Sequence, residues 1–213
     1  MQAFPTKAEM QQALEERHGK ELQKKFTEGV VAICGLGGLG SHIATALARA
    51  GVGKLIVIDF DRVEISNLHR QQYTAAQVGM PKTAALAETL REIAPYSEIT
   101  THTTRITEDN LVELLQQATI ICEAFDNAEA KAMLANTVLE KLPEKYLVAA
   151  SGMAGLTSAN DIKTRKVASH FYLCGDGTSD IADTIGLVAS RVMLCAAHQA
   201  HAVLRILAGE YEV

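Results

Sequence analysis

Gly35, Gly37, Gly38 and Gly40 stand in the run Gly35-Leu36-Gly37-Gly38-Leu39-Gly40-Ser41, where residue type and spacing suit phosphate chemistry. Glycines at these intervals let a backbone turn tightly and approach a phosphate closely. The free N–H groups at the start of a following helix favour an anion. Asp59 follows about 20 residues on, where a carboxylate accepts hydrogen bonds from ribose hydroxyls. A glycine fingerprint alone does not separate NAD, FAD and ATP. The discriminating residues come next: Asp59, Asp61, Asn67, Arg70 and Gln71 in one segment, then Lys82 and Asp126. Arg70 offers a bidentate fork and Lys82 a compact charge to a polyphosphate. Asn67 can position a phosphate oxygen. Asp126, at the end of an apolar run, is placed to hold Mg²⁺ together with water. Hydride transfer has no use for this set.

The elements that must carry these residues follow from the apolar pattern. Val30–Cys34 reads as a buried strand, Ser41–Gly51 as an Ala/Leu-rich helix and Leu55–Ile58 as a second strand ending at Asp59. Pro81–Ile93 reads as a helix with proline in its first turn. Ile99–Thr104 is a β-branched strand and Asn110–Gln117 a short helix. Thr119–Phe125 is a buried strand ending at Asp126, Asn127–Leu142 a helix and Tyr146–Ala150 a strand. This alternation predicts an α/β, doubly wound, mainly parallel, Rossmann-like sheet with helices on both faces. Thr6–Lys25 is amphipathic and predicts an N-terminal helix packed outside. Beyond Ser151, glycines punctuate short β-type pieces such as His170–Leu173, which predict a small antiparallel extension. Ile185–Leu207 predicts a long buried helix. The 213 residues suit one domain. Residues 1–28 form its N-terminal helical segment, 29–150 its nucleotide-binding core, and 151–213 the extension and last helix.

Several motifs in order carry a resemblance. Asp59-Phe60-Asp61-Arg62-Val63-Glu64-Ile65-Ser66-Asn67-Leu68-His69-Arg70-Gln71 follows the glycine loop, then come Gly79-Met80-Pro81-Lys82 and Asp126-Asn127. Together these resemble the ThiF/MoeB group, bacterial relatives of ubiquitin-activating enzymes, and most of all its short ThiF members. The resemblance implies an ATP-dependent adenylyltransferase that uses Mg²⁺ to activate the C-terminal carboxylate of a ThiS-type, ubiquitin-fold sulfur carrier. A sulfur donor protein would complete a thiocarboxylate for thiazole synthesis in the thiamine pathway. It also implies a homodimer in which Arg17, the arginine ahead of the glycine loop, reaches the neighbouring subunit's phosphates. Other readings stay open: a molybdopterin-pathway carrier or a tRNA nucleoside as acceptor, an NAD(P)-dependent dehydrogenase, or a non-catalytic nucleotide-binding scaffold.

Charge and cysteine usage narrow the partners. Lys+Arg number 20 against 25 Asp+Glu, a formal charge of −5, which gives no general attraction to nucleic acid or anionic membranes. The polar start and the lack of a run near ~18 apolar residues predict a cytoplasmic chain with no membrane span. Cys34, Cys122, Cys174 and Cys195 form no CxxC pair, so no structural zinc is expected, although many relatives carry two such pairs. Cys34, Cys122 and Cys195 lie in apolar runs and read as core. Cys174, in Leu173-Cys174-Gly175-Asp176-Gly177, reads as a loop-like strand end and is the candidate sulfur-transfer thiol. His198 and His201 have a metal-compatible spacing but lack a third ligand, and read as a core or interface pair.

Overall fold

The computed structural model describes residues 4–213. Seven strands lie in one sheet of order β3-β2-β1-β4-β5-β7-β6. They are β1 (Val30–Cys34), β2 (Lys54–Ile58), β3 (Glu98–His102), β4 (Ile120–Glu123), β5 (Tyr146–Ala150), β6 (Lys163–Ala168) and β7 (Phe171–Gly175). All neighbours pair in parallel except β6 and β7, which form the expected antiparallel extension at one edge. Strand order reverses between β1 and β4. At that switch point the loops leaving the two strands diverge and open a crevice at their carboxyl ends.

Side-chain alternation along the central strands divides the core in two. Val31 and Ile33 join one cluster with α3 (Gly38–Arg49), α4 (Lys82–Ile93) and α7 (Ala189–Ala208). Ala32 and Cys34 join the other with α5 (Leu111–Leu115) and α6 (Ala128–Lys141). Both faces of β1 and β4 are therefore buried, which explains why these strands read as unbroken apolar runs.

The N-terminal segment differs from its expected single helix. α1 (Lys7–His18) and α2 (Lys20–Glu28) are separated by Gly19, whose φ of 83° breaks the helical path. Thr6 and Glu9 close a reciprocal capping box at the start of α1. The last helix begins at Ala189, a few residues after its expected start at Ile185. It ends against Gly209 in the left-handed conformation. Among the described residues no helix is long and apolar enough to cross a membrane.

Candidate nucleotide site

The glycine loop leaves β1 at the switch point, and three of its four glycines meet close neighbours that leave no room for a side chain. Gly35 has a φ of 91°, and a Cβ there would lie 2.8 Å from the Ala124 carbonyl oxygen. At Gly40 a Cβ would fall 1.8 Å from the Gly35 carbonyl oxygen, so α3 can start this close to the loop only with glycine. Gly38 lies against Val192 of α7. Gly37 has no such internal reason. A Cβ there would meet nothing nearer than Gln71 Nε2 at 3.8 Å, so the space beside it opens to the crevice. That open cradle, over a helix whose first N–H groups lack intrahelical partners, suits an anion.

The loop is held from two sides. The Asp59 carboxylate accepts the Leu36 N–H at 2.6 Å and the Asp61 N–H at 2.8 Å. Tyr73 donates its hydroxyl to the Leu36 carbonyl at 2.8 Å, and burial pushes its phenol well above the ordinary value. Asp59 therefore organises the glycine loop through these two bonds while facing the crevice. Lys82, at the start of α4, sits with its Nζ 2.9 Å from Asp61 and 4.0 Å from Asp59. Only 6% of Lys82 is exposed, and the two carboxylates compensate its burial.

A crevice of about 390 Å³ brings together Gly35, Gly37, Gly38, Asp59, Asp61, Arg70, Gln71, Lys82 and Asp126. Most of the predicted set thus meets in one place. Among the described residues Arg70 has no carboxylate partner. One of its terminal nitrogens rests on the Ser66 carbonyl at 3.2 Å, and its buried Nε has no hydrogen-bond partner. Gln71 Oε1 is likewise buried and unpartnered. Such groups are costly unless a ligand satisfies them, which fits a polar guest in the crevice.

Asp126 is exposed, and Asn127 rather than Asp126 caps α6, accepting the Ala130 N–H at 2.8 Å. Asp126 therefore keeps its carboxylate free of helix capping. Among the described residues no three acidic, histidine or cysteine side chains cluster as a metal cage. A divalent ion here would draw most of its ligands from phosphate oxygens and water.

Four predicted residues do not line the crevice: Gly40, packed against the Gly35 carbonyl, and Asn67, Arg17 and Cys174. Asn67 does not line the crevice; its Oδ1 accepts the Glu64 N–H at 3.0 Å, and its carbonyl accepts the N–H groups of Arg70 and Gln71. It shapes the turn that presents Arg70. Arg17 is exposed on α1, away from the crevice. Cys174 overturns its reading as a loop thiol. It lies inside β7, fully buried, 3.6 Å from Thr164 Oγ1, and burial pushes its thiol up to about 11. A thiol so placed is neither accessible nor ionised near neutral pH. Cys34, Cys122 and Cys195 are buried as well, as their apolar surroundings imply.

The sequence reading missed other parts of the wall. Arg105 lies over the Phe60 ring, 3.9 Å from its centroid, and both line the crevice. Lys131 of α6 pairs with Glu123, the last residue of β4, at 3.0 Å, and donates to the Ala150 carbonyl at 3.1 Å. Burial raises the Glu123 carboxyl, and Lys131 opposes that shift. The far wall is formed by Ser151–Ala154 and Ser179–Ile181. These two segments are joined where Ser179 Oγ accepts the Ala154 N–H and by Arg191, which binds Asp176 and the carbonyls of Thr157 and Ser158. Arg105 was findable, because a residue just past β3 must border the carboxyl ends of the sheet.

The sequence matches the profile of the ThiF family over residues 10–213. The chain belongs to the ThiF family. It is 36% identical over 200 residues to the sulfur carrier protein ThiS adenylyltransferase of Bacillus subtilis, covering 90% of this chain and 58% of that protein. It is also 36% identical over 136 residues to the adenylyltransferase and sulfurtransferase MOCS3 of Culex quinquefasciatus, covering 63% of this chain and 31% of that protein. This ThiF-family chain therefore spans about a third to somewhat over half the length of these relatives. Its fold is similar to that of the E. coli tRNA N6-threonylcarbamoyladenosine dehydratase TcdA solved with AMP, with a TM-score of 0.85 at 20% identity over 98% of each chain.

Proposed function

We propose that this chain uses ATP to adenylate the C-terminal carboxylate of a ubiquitin-like sulfur carrier, most specifically a ThiS-type protein ending in Gly-Gly. The observation that carries this reading is the convergence of the glycine loop, Asp59, Arg70, Lys82 and Asp126 on one crevice. The name of the B. subtilis relative supports the acceptor class. A scaffold that only held nucleotide would not need a free cation and a free acid in the same crevice. A dehydrogenase would leave both unused.

The groups fit the substrate. The open face at Gly37 and the first turn of α3 would take phosphate, Asp59 would take ribose hydroxyls, and Arg70 and Lys82 would face the triphosphate. Asp126 would hold Mg²⁺, which shields charge on the β- and γ-phosphates. In the reaction a carboxylate oxygen of the carrier tail bonds to the α-phosphorus. The bond from that phosphorus to the bridging oxygen breaks, and pyrophosphate leaves with its electron pair. Carboxylate and triphosphate are both anions, so cations fixed before the reaction lower the barrier most. Arg70, with no acid neutralising it, is the main candidate for that work. Lys82 shares its charge with Asp61 and Asp59, and so orients more than it attracts.

Sulfur enters from a separate donor in this account, because Cys174 is buried. Two copies act together, with Arg17 of one reaching the phosphates bound by the other. The test is ATP–pyrophosphate exchange with carriers ending in Gly-Gly. Exchange that appears with an intact tail and vanishes on its truncation supports the reading. Exchange independent of any carrier, or ATP binding without exchange, rejects it.

A further inference from the structure

His42 stands in the second turn of α3 and does not line the crevice, yet it touches the loop that does. Its Nε2 is 3.2 Å from the Arg70 carbonyl, and its Nδ1 is 2.7 Å from Gln72 Nε2. One ring tautomer serves both partners: Nε2–H donates to the carbonyl while Nδ1 accepts from the amide. Beside it, Ser41 Oγ accepts the Gln72 N–H at 3.2 Å and donates to the Gly37 carbonyl at 2.7 Å. Tyr73 completes the row through its bond to Leu36. Residues 70–73 are thus stitched to the glycine loop and its helix at successive points. Of these links, the one at Arg70 itself comes from His42.

The geometry points to His42 as a positioning residue that holds Arg70 in register with the anion-binding turn of α3. Among the described residues the Arg70 guanidinium has no acidic partner; one terminal nitrogen rests on the Ser66 carbonyl, and its buried Nε has no hydrogen-bond partner. A long side chain tethered only at one terminal nitrogen loses much entropy when it must hold a phosphate. Fixing its backbone beforehand removes part of that cost. The ring reaches Arg70 from the helix whose N-terminus would hold the same phosphates, so one rigid unit presents both. Half-buried, His42 has its basicity lowered by desolvation, which favours the neutral ring this pattern requires.

This inference rests on the nucleotide reading above, and its test separates the two. ATP binding is measured by calorimetry for wild type, His42→Leu, His42→Gln, Arg70→Ala and the His42→Leu/Arg70→Ala double variant. Loss of one net hydrogen bond predicts ATP binding weaker by about 3- to 10-fold in His42→Leu. His42→Gln, which keeps an N–H donor, recovers most of it. The double variant binds no more weakly than Arg70→Ala alone, because the effect passes through Arg70. Additive losses, or an unchanged His42→Leu, overturn the proposal. A second readout needs no nucleotide. The Arg70 Nε–H correlation, assigned by its absence in Arg70→Lys, should be visible and slow to exchange in wild type and His42→Gln and lost in His42→Leu. If wild type binds no ATP, the nucleotide reading fails, and this signal still decides the role of His42: its persistence in His42→Leu refutes positioning.

Discussion

Asp59 Oδ2 accepts the backbone N–H of Leu36 at 2.6 Å, which ties the end of β2 to the glycine loop leaving β1. The carboxylate read from sequence as a ribose ligand is thus also the peg that shapes the phosphate turn. Lys82 and Asp61 lie against it, so the nucleotide end of the crevice is built as one charged cluster. Arg70 stands outside that cluster without an acid, and the sharpest predictions follow from this asymmetry.

Arg70→Ala should lower carrier-dependent ATP–pyrophosphate exchange by about 10²-fold or more, in line with removing a group that stabilises charge in the transition state. Its melting temperature should stay close to wild type, since no salt bridge is lost. Steady-state exchange and a thermal melt on the same preparation check both halves. Equal exchange in mutant and wild type would reduce Arg70 to a surface charge.

Asp126 and Asn127 should separate cleanly. Asp126→Asn should raise the Mg²⁺ concentration needed for half-maximal exchange and leave stability unchanged. Asn127→Ala should cost roughly 1 kcal/mol of stability through loss of the α6 cap, with Mg²⁺ dependence near wild type. Urea titrations and Mg²⁺ titrations of both variants decide this. A stability loss in Asp126→Asn without a metal effect would reverse the assignment.

The cysteines should be silent in the native protein. Burial pushes Cys174 up to about 11 and Cys195 up to about 12, and it raises Cys34 and Cys122 as well. Thiolate is therefore scarce below those values, and access is blocked. Iodoacetamide at pH 8 should label none of the four until denaturant is added, as read by mass spectrometry. Cys174→Ser should keep normal exchange. Rapid native labelling of Cys174 would restore it as a sulfur-transfer candidate.

Arg17 is an exposed cation on α1, and its proposed work is done in a second copy. Arg17→Ala and Asp126→Asn should each be weak alone, while a mixture of the two regains activity. A mixed dimer holds one site with both native residues. Mixing that yields only the average of the two variants would place Arg17 outside the mechanism.

The fold was legible because β1, β4 and β5 are apolar on both faces, a pattern that only a sheet covered on both sides requires. Gly35 and Gly40 were legible because sterics alone forbid a side chain there. The site was less so. Arg105 could be placed at the crevice from its position just past β3, but its contact with the Phe60 ring joins the ends of two strands far apart in sequence and has no local mark. Lys131 reaches the buried Glu123 carboxylate only once α6 folds back over β4. Cys174 misled because Gly175-Asp176-Gly177 reads as a turn. The strand runs on to Gly175, and Asp176 is absorbed by Arg191 and by the N–H groups of Thr178 and Ser179. Asn67 was read as positioning a phosphate oxygen, but its Oδ1 accepts the Glu64 N–H within its own turn.

The central claim is that a carrier carboxylate attacks the α-phosphorus of ATP in the crevice between β1 and β4. Isotope transfer tests it most directly. A carrier labelled with ¹⁸O in its C-terminal carboxylate is incubated with enzyme, ATP and Mg²⁺, and hydroxylamine is added to intercept the activated carbonyl. The account predicts AMP carrying one ¹⁸O, because the carboxylate oxygen bonded to phosphorus leaves with AMP when the carbonyl is attacked. Unlabelled AMP, or ADP together with ¹⁸O-labelled phosphate, would contradict it.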